Sequence, residues 1–139
     1  MAGAGTRLLQ LVIDGDEVTA QVSVAKVTTG AADSDFVTWA QAAAGGARQY
    51  NLEMTAVQDT VADTVWDKVW AAAGTTVPCT LKLYGNAVAT VAQPHFTFNA
   101  VIAEPDGDFI GGEADVSTTA RLTFEVVWPL EAKPTKVTA

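Results

Sequence analysis

Polar and apolar residues alternate along several stretches of the chain, and each stretch predicts a strand. Leu8 to Ile13 is a short apolar run, closed by the turn signal Asp14-Gly15-Asp16. From Glu17 to Lys26, Val18, Ala20, Val22 and Val24 face one way and Thr19, Gln21 and Ser23 the other. That is a period-two strand with one buried face, and the two runs together read as a hairpin. Arg48 to Gln58 alternates again, with Tyr50, Leu52, Met54 and Ala56 on one side. Cys79 to Tyr84 and His95 to Ile102 follow the same rule, separated by a turn at Gly85-Asn86. Glu113 to Trp128 is the longest alternating run. Ala114, Val116, Thr118, Ala120, Leu122, Phe124, Val126 and Trp128 share a face there, and Glu113, Asp115, Arg121 and Glu125 lie on the other.

Two stretches break the alternation. Val61, Val65 and Val69 stand four apart, with Ala62, Trp66 and Ala73 beside them, which predicts an amphipathic helix. Thr60-Val61-Ala62-Asp63 reads as its capping box, Gly74 as its stop, and Asp67 and Lys68 as its outward side. Trp70 falls off the apolar stripe. The other stretch, residues 27–47, reads as a long loop. Within it a short helix over 36–44, capped by Ser34 or Asp35 and stopped by Gly45, competes with plain loop. "DFVTWAQAAAGGARQY" is unusual for a loop, because Phe36, Val37 and Trp39 need something to bury against.

Glu104-Pro105-Asp106-Gly107 has the residue order of a type I turn. Pro129 ends the last strand, and the following residues, with Pro134, read as an extended arm. The expected architecture is therefore one domain over 1–139. It is mainly β, an antiparallel β-sandwich or barrel of about seven strands with one flanking α-helix. Arms lie at 1–8 and 129–139.

Composition narrows the chemistry. The chain has 139 residues and is 49% hydrophobic, enough for a real core. No apolar run is long enough to span a bilayer as a helix, so no membrane partner is expected. Met1 to Thr6 lacks the features of a secretory signal. A formal charge of −8 opposes binding to nucleic acid, and its simplest use is solubility. Cys79 is the only cysteine, so no disulfide framework forms.

Catalytic candidates are few. Cys79 and the only histidine, His95, lie on neighbouring expected strands and make one conceivable nucleophile pair. Their apolar settings fit core residues better. None of the serines, at 23, 34 and 117, sits in a nucleophile elbow. The acidic clusters at 14–17, 33–35 and 104–108 coincide with turns and lack the spacing of a calcium loop. Gly111-Gly112 precedes an expected strand, not the helix of a phosphate loop. No enzyme activity, cofactor or metal is expected.

The expected strand over 113–128 needs partners at its edges. A ring of identical chains supplies them by pairing edges between subunits. At this point the sequence resembles a known family. "SDFVTWAQAAAGGARQY", "AVQDTVADTVWDKVWAAAGTTVP", "LYGNA", "PHFTFNAVIAEPDGDFIGGEADVSTTARLTFEVVWP" and "KPTKVTA" are similar to the major tail (tail tube) proteins of long-tailed bacteriophages, especially those infecting actinobacteria. The likeness runs in order from about residue 17 onward.

The resemblance implies a β-sandwich with one helix and no catalytic residues. It implies hexameric rings stacked into a hollow tube within the virion tail, assembled in the host cytoplasm. Its partners would be other copies and further tail proteins (tape measure, tail terminator and distal tail). Genomic DNA would pass through the lumen without specific binding. Carboxylates suit such a wall because they repel phosphate. On this reading Glu113, Asp115 and Glu125, with Arg121, face the lumen. Phe36, Val37, Trp39, Ala43, Gly45, Trp70 and Pro134 contact neighbouring subunits. The reading from another class is a monomeric acidic β-sandwich that serves as a binding or decoration module.

Overall fold

Two antiparallel sheets enclose the apolar faces that the alternation marks out. A computed structural model describes residue 5 and residues 7–31, 38–43 and 48–139, the Gln41 side chain excepted. The first sheet contains β1 (Gln10–Ile13), β2 (Asp16–Glu17), β5 (Thr76–Lys82), β6 (His95–Val101) and β8 (Thr135–Val137), in the order β2-β1-β5-β6-β8. The second contains β3 (Val22–Ala31), β4 (Arg48–Val57) and β7 (Thr123–Pro129), in the order β3-β4-β7. Leu11 and Ile13 of β1, Cys79 and Leu81 of β5, and Phe98 and Ala100 of β6 meet Leu52, Met54, Ala56, Phe124, Val126 and Trp128 of the other sheet. The fold is thus a mainly β sandwich whose core lies between the sheets.

The N-terminal hairpin is shorter than its pattern suggests. β1 pairs with β2 only at Val12–Glu17 and Ile13–Asp16. A 3-10 turn at Thr19–Gln21 then carries the chain into the other sheet. There the register on β4 shifts between Val22 and Val24. A bulge of this kind flips every later side chain to the opposite face. Val24 is consequently exposed, while Ala25 and Val27 pack on the core.

The interval over 27–47 is also reapportioned. β3 continues to Ala31, whose Cα pairs with that of Arg48, so 27–31 is strand rather than loop. The short helix, α1, spans Trp39–Ala43. The expected caps Ser34 and Asp35 lie outside the described residues, as do Phe36, Val37 and Gly45.

The second helix, α2, spans Val65–Ala72 and starts one turn later than its expected capping box. Asp63 has a positive φ of 67°, which a helix begun at Thr60 cannot accommodate. The cap is Thr64, whose Oγ1 accepts the Asp67 N–H at 3.2 Å; the Asp67 carboxylate accepts the Asp63 N–H, also at 3.2 Å. This resembles a capping box moved along by four residues, except that the returning carboxylate takes the N–H of the residue before the cap. Val65 and Val69 are fully buried, as expected, and Val61 is exposed. Lys68, expected to face outward, is buried and bonds to Asp16 across the sandwich. Gly74, at φ 93°, ends the helix as expected.

Two further corrections concern the C-terminal third. Only Thr123–Pro129 of the long alternating run is strand. Residues 112–122 belong to no strand and are exposed throughout. Their alternate positions carry mostly Ala and Thr, which offer too little apolar area to hold a strand on the core. The tail is not a free arm either, because β8 pairs with β6 from His95–Val137 to Thr97–Thr135.

Candidate assembly surface

Residues 112–122 project from one end of the sandwich as a finger whose base is clamped by Gln58. The Gln58 Nε2 donates to Gly111 O at 2.8 Å and to Thr123 O at 2.9 Å. Its Oε1 accepts the Gly111 N–H at 2.8 Å, and its own N–H donates to Leu122 O at 2.8 Å. Both limbs are therefore fixed to the end of β4. Beyond the clamp the bonds are local: Ser117 N donates to Asp115 Oδ1 at 2.8 Å, and Arg121 Nη1 to Ala120 O at 3.1 Å. Val116 has a relative exposure of 102%.

Three of the four residues expected on a lumen wall, Glu113, Asp115 and Arg121, sit on this finger rather than on a sheet face. Only Glu125 is in a strand, pointing outward from β7 opposite Thr55. The pairing also brings Glu53 to the same outer face, opposite Val127 on one side and Lys26 on the other. Glu53 was legible as a polar position on β4 but had nothing to mark it as a neighbour of Glu125. Beside β7, Glu104, Asp106, Asp108 and Glu125 line an open cleft of about 610 Å³ with Thr123 and Phe124. One flank of the three-stranded sheet is therefore strongly acidic.

Of the residues expected at subunit contacts, Trp39 stands clear of the protein at 93% exposure, and Ala43 at the end of α1 is exposed as well. Trp70 is 59% exposed. Its ring stacks on Trp66, with centroids 5.4 Å apart and planes 8° apart. Phe109 leans on both rings, and Trp66 Nε1 donates to Phe109 O at 2.9 Å. Phe109 thus couples α2 to the segment leading into the finger, a role that nothing in its sequence context signals. Pro134 is half-buried beside Tyr50, Leu83 and Phe96 of its own chain.

The structure does not bring Cys79 and His95 together. Cys79 pairs with Phe98 and His95 with Lys82, so the two lie on opposite faces of the sheet. The Cys79 thiol is buried and donates weakly to Val77 O at 3.7 Å. Burial, reinforced by the charge of Asp14, pushes its pKa up from 9.0 to about 12. That is the reverse of what a nucleophilic cysteine requires. A ring nitrogen of His95 bonds Asn86 O at 2.9 Å. Among the described residues no group of His, Cys, Asp or Glu could hold a metal ion, and no helix is long and apolar enough to cross a membrane.

Comparison of the sequence with protein-family models gives no match, and comparison with curated proteins gives none either.

Proposed function

We propose that this chain is a structural subunit that assembles with copies of itself into stacked rings, forming the tail tube of a long-tailed bacteriophage. The observation that carries the reading is the finger. It has strand-like alternation yet pairs with no strand among the described residues, and it presents a wholly exposed valine. A protein that functions alone gains nothing from holding such a segment outward on four hydrogen bonds. Trp39 and Trp70 add large exposed aromatic surface, of the kind that anchors protein interfaces. The sequence resemblance supplies the kind of assembly: hexameric rings, with further tail proteins at the ends.

The acidic surface has a physical use in such a tube. DNA must slide through without being held, and carboxylates repel phosphate where lysines would bind it. Glu53 and Glu125 on the outer face of the three-stranded sheet are the groups proposed to face the lumen. No catalytic step is involved. Such a subunit would be assembled in the host cytoplasm and reside in the virion tail.

Negative-stain microscopy of the purified protein over a range of concentrations tests the reading. Rings or hollow tubes are expected. Single particles at every concentration, with or without a nucleating tail-tip complex, would favour the acidic binding module instead. In an assembled tube, carboxylates at 53 and 125 pointing to the exterior would overturn the lumen assignment.

A further inference from the structure

At the end of the sandwich away from the finger, the two sheets do not close on each other. Val27 and Tyr50 from one sheet, Leu83 and Phe96 from the other, and Pro134 from the returning tail leave an apolar groove of about 420 Å³. Its walls are only half-buried. Two lysines flank it. Lys133 lines it, and Lys136 stands opposite Phe96 in register and so shares its face. Both are exposed, and neither forms an ion pair among the described residues, where Lys68–Asp16 is the salt bridge present. Lys26 also borders the groove, but it pairs with Glu53 and so shares the outer face of the sheet with it.

The finger carries the complement of this groove. Val116 offers an apolar tip, with Asp115 next to it and Glu113 on the same limb, and Arg121 sits back near the clamp. The finger cannot reach the groove of its own chain. Gln58 holds its base at one end of β4, while Tyr50 lies near the other end, about 25 Å away at the rise of a strand. Each limb, of roughly five residues, spans about 15 Å at most.

Resting on the self-assembly reading above, we infer that the groove receives the finger of a second copy. Val116 seats against Tyr50, Leu83 and Phe96, and Asp115 and Glu113 lie near Lys133 and Lys136. Finger and groove occupy opposite ends of the molecule, so the contact is head-to-tail. Each copy that donates its finger still has an open groove, and the interaction propagates along an axis instead of closing as a dimer.

Disulfide trapping between whole chains tests this. V116C protein mixed with K133C protein under mild oxidation is expected to form the mixed disulfide several-fold faster than V116C mixed with T60C. Thr60 is exposed at the finger's own end of the sandwich, and the buried Cys79 does not compete. A rate for K133C no greater than that for T60C overturns the inference. The outcome is separable from the tube reading. Tubes under the microscope without the K133C preference sink the groove contact alone. The preference without tubes keeps the contact and sinks the tube.

Discussion

Lys68 Nζ lies 2.7 Å from the Asp16 carboxylate, which ties the middle of α2 to the short strand β2. The two ends of this bond are unequal, with Lys68 at 9% side-chain exposure and Asp16 at 43%. Removing the carboxylate strands a charge inside the protein, whereas removing the ammonium leaves a carboxylate that water can reach. Asp16→Ala is therefore expected to cost about 2 kcal/mol, and Lys68→Met to stay within about 1 kcal/mol of the parent. Urea denaturation of both variants measures the difference. Equal losses would show that the burial asymmetry does not control the pair.

Gln58 is the clamp of the finger, and its side chain makes three of the four bonds at the base. Gln58→Ala is expected to cost roughly 1–3 kcal/mol in global stability. The larger effect is local: amide hydrogen exchange should accelerate over 111–123 and remain unchanged in β5 and β6. Protection preserved at Gly111 would mean that the base is held by something else.

Gly85 has a φ of 67°, and a Cβ placed there would fall on the Leu8 carbonyl oxygen. Backbone cannot yield as a flexible side chain can. Gly85→Ala is therefore expected to lower stability by about 1–3 kcal/mol, with increased proteolysis near Leu8. Gly15, also at positive φ but with open space around it, is the control for conformation without collision.

The Cys79 thiol provides a pH test. Its folded pKa is raised, so its contribution to stability is complete below about 9.0 and is lost as pH climbs toward about 12. Thermal midpoints should fall across that window, and part of the fall should vanish in Cys79→Ala. At pH 8 a thiol reagent should label the native protein far more slowly than the unfolded one. Rapid native labelling would contradict the burial.

Trp39 and Trp70 separate folding from assembly. Trp39→Ser removes a side chain that stands in solvent, so the unfolding transition should not move. Trp70→Ser removes a ring stacked on Trp66 and should cost about 1 kcal/mol. Both are expected to weaken ring or tube formation in sedimentation velocity runs. Unchanged assembly in Trp39→Ser would remove Trp39 from the contact.

The sandwich core was legible because burial imposes a period of two. Leu52, Met54, Ala56, Phe124, Val126 and Trp128 all lie where the alternation puts them. So do Val65 and Val69 on the helix stripe and Gly74 at its stop. The same rule misled over Glu113 to Leu122, because alternation records which side chains could be buried, not whether a neighbouring strand exists to take the backbone bonds. Register defeated it too: the bulge after Val22 reverses the face of Val24 with no change in residue type. Lys68 reads as a surface residue until the fold carries Asp16 to it. Tyr50, Leu83 and Phe96 carry the pattern of core residues and yet form the groove, since alternation shows which way a side chain points but not where the sandwich stops.

The order β2-β1-β5-β6-β8 sets a timetable for folding. Ile13 waits for Cys79 and Gln10 for Lys82 before β1 gains its principal partner. During synthesis β1 emerges long before β5, so its apolar side chains stay uncovered while β3, β4 and α2 are made. Pairings this distant in sequence close slowly, over milliseconds to seconds in proteins dominated by such contacts. Newly made chains thus pass through an interval in which the β3–β4 pair can form and neither sheet is complete, and crowding by other nascent copies is most hazardous in that interval.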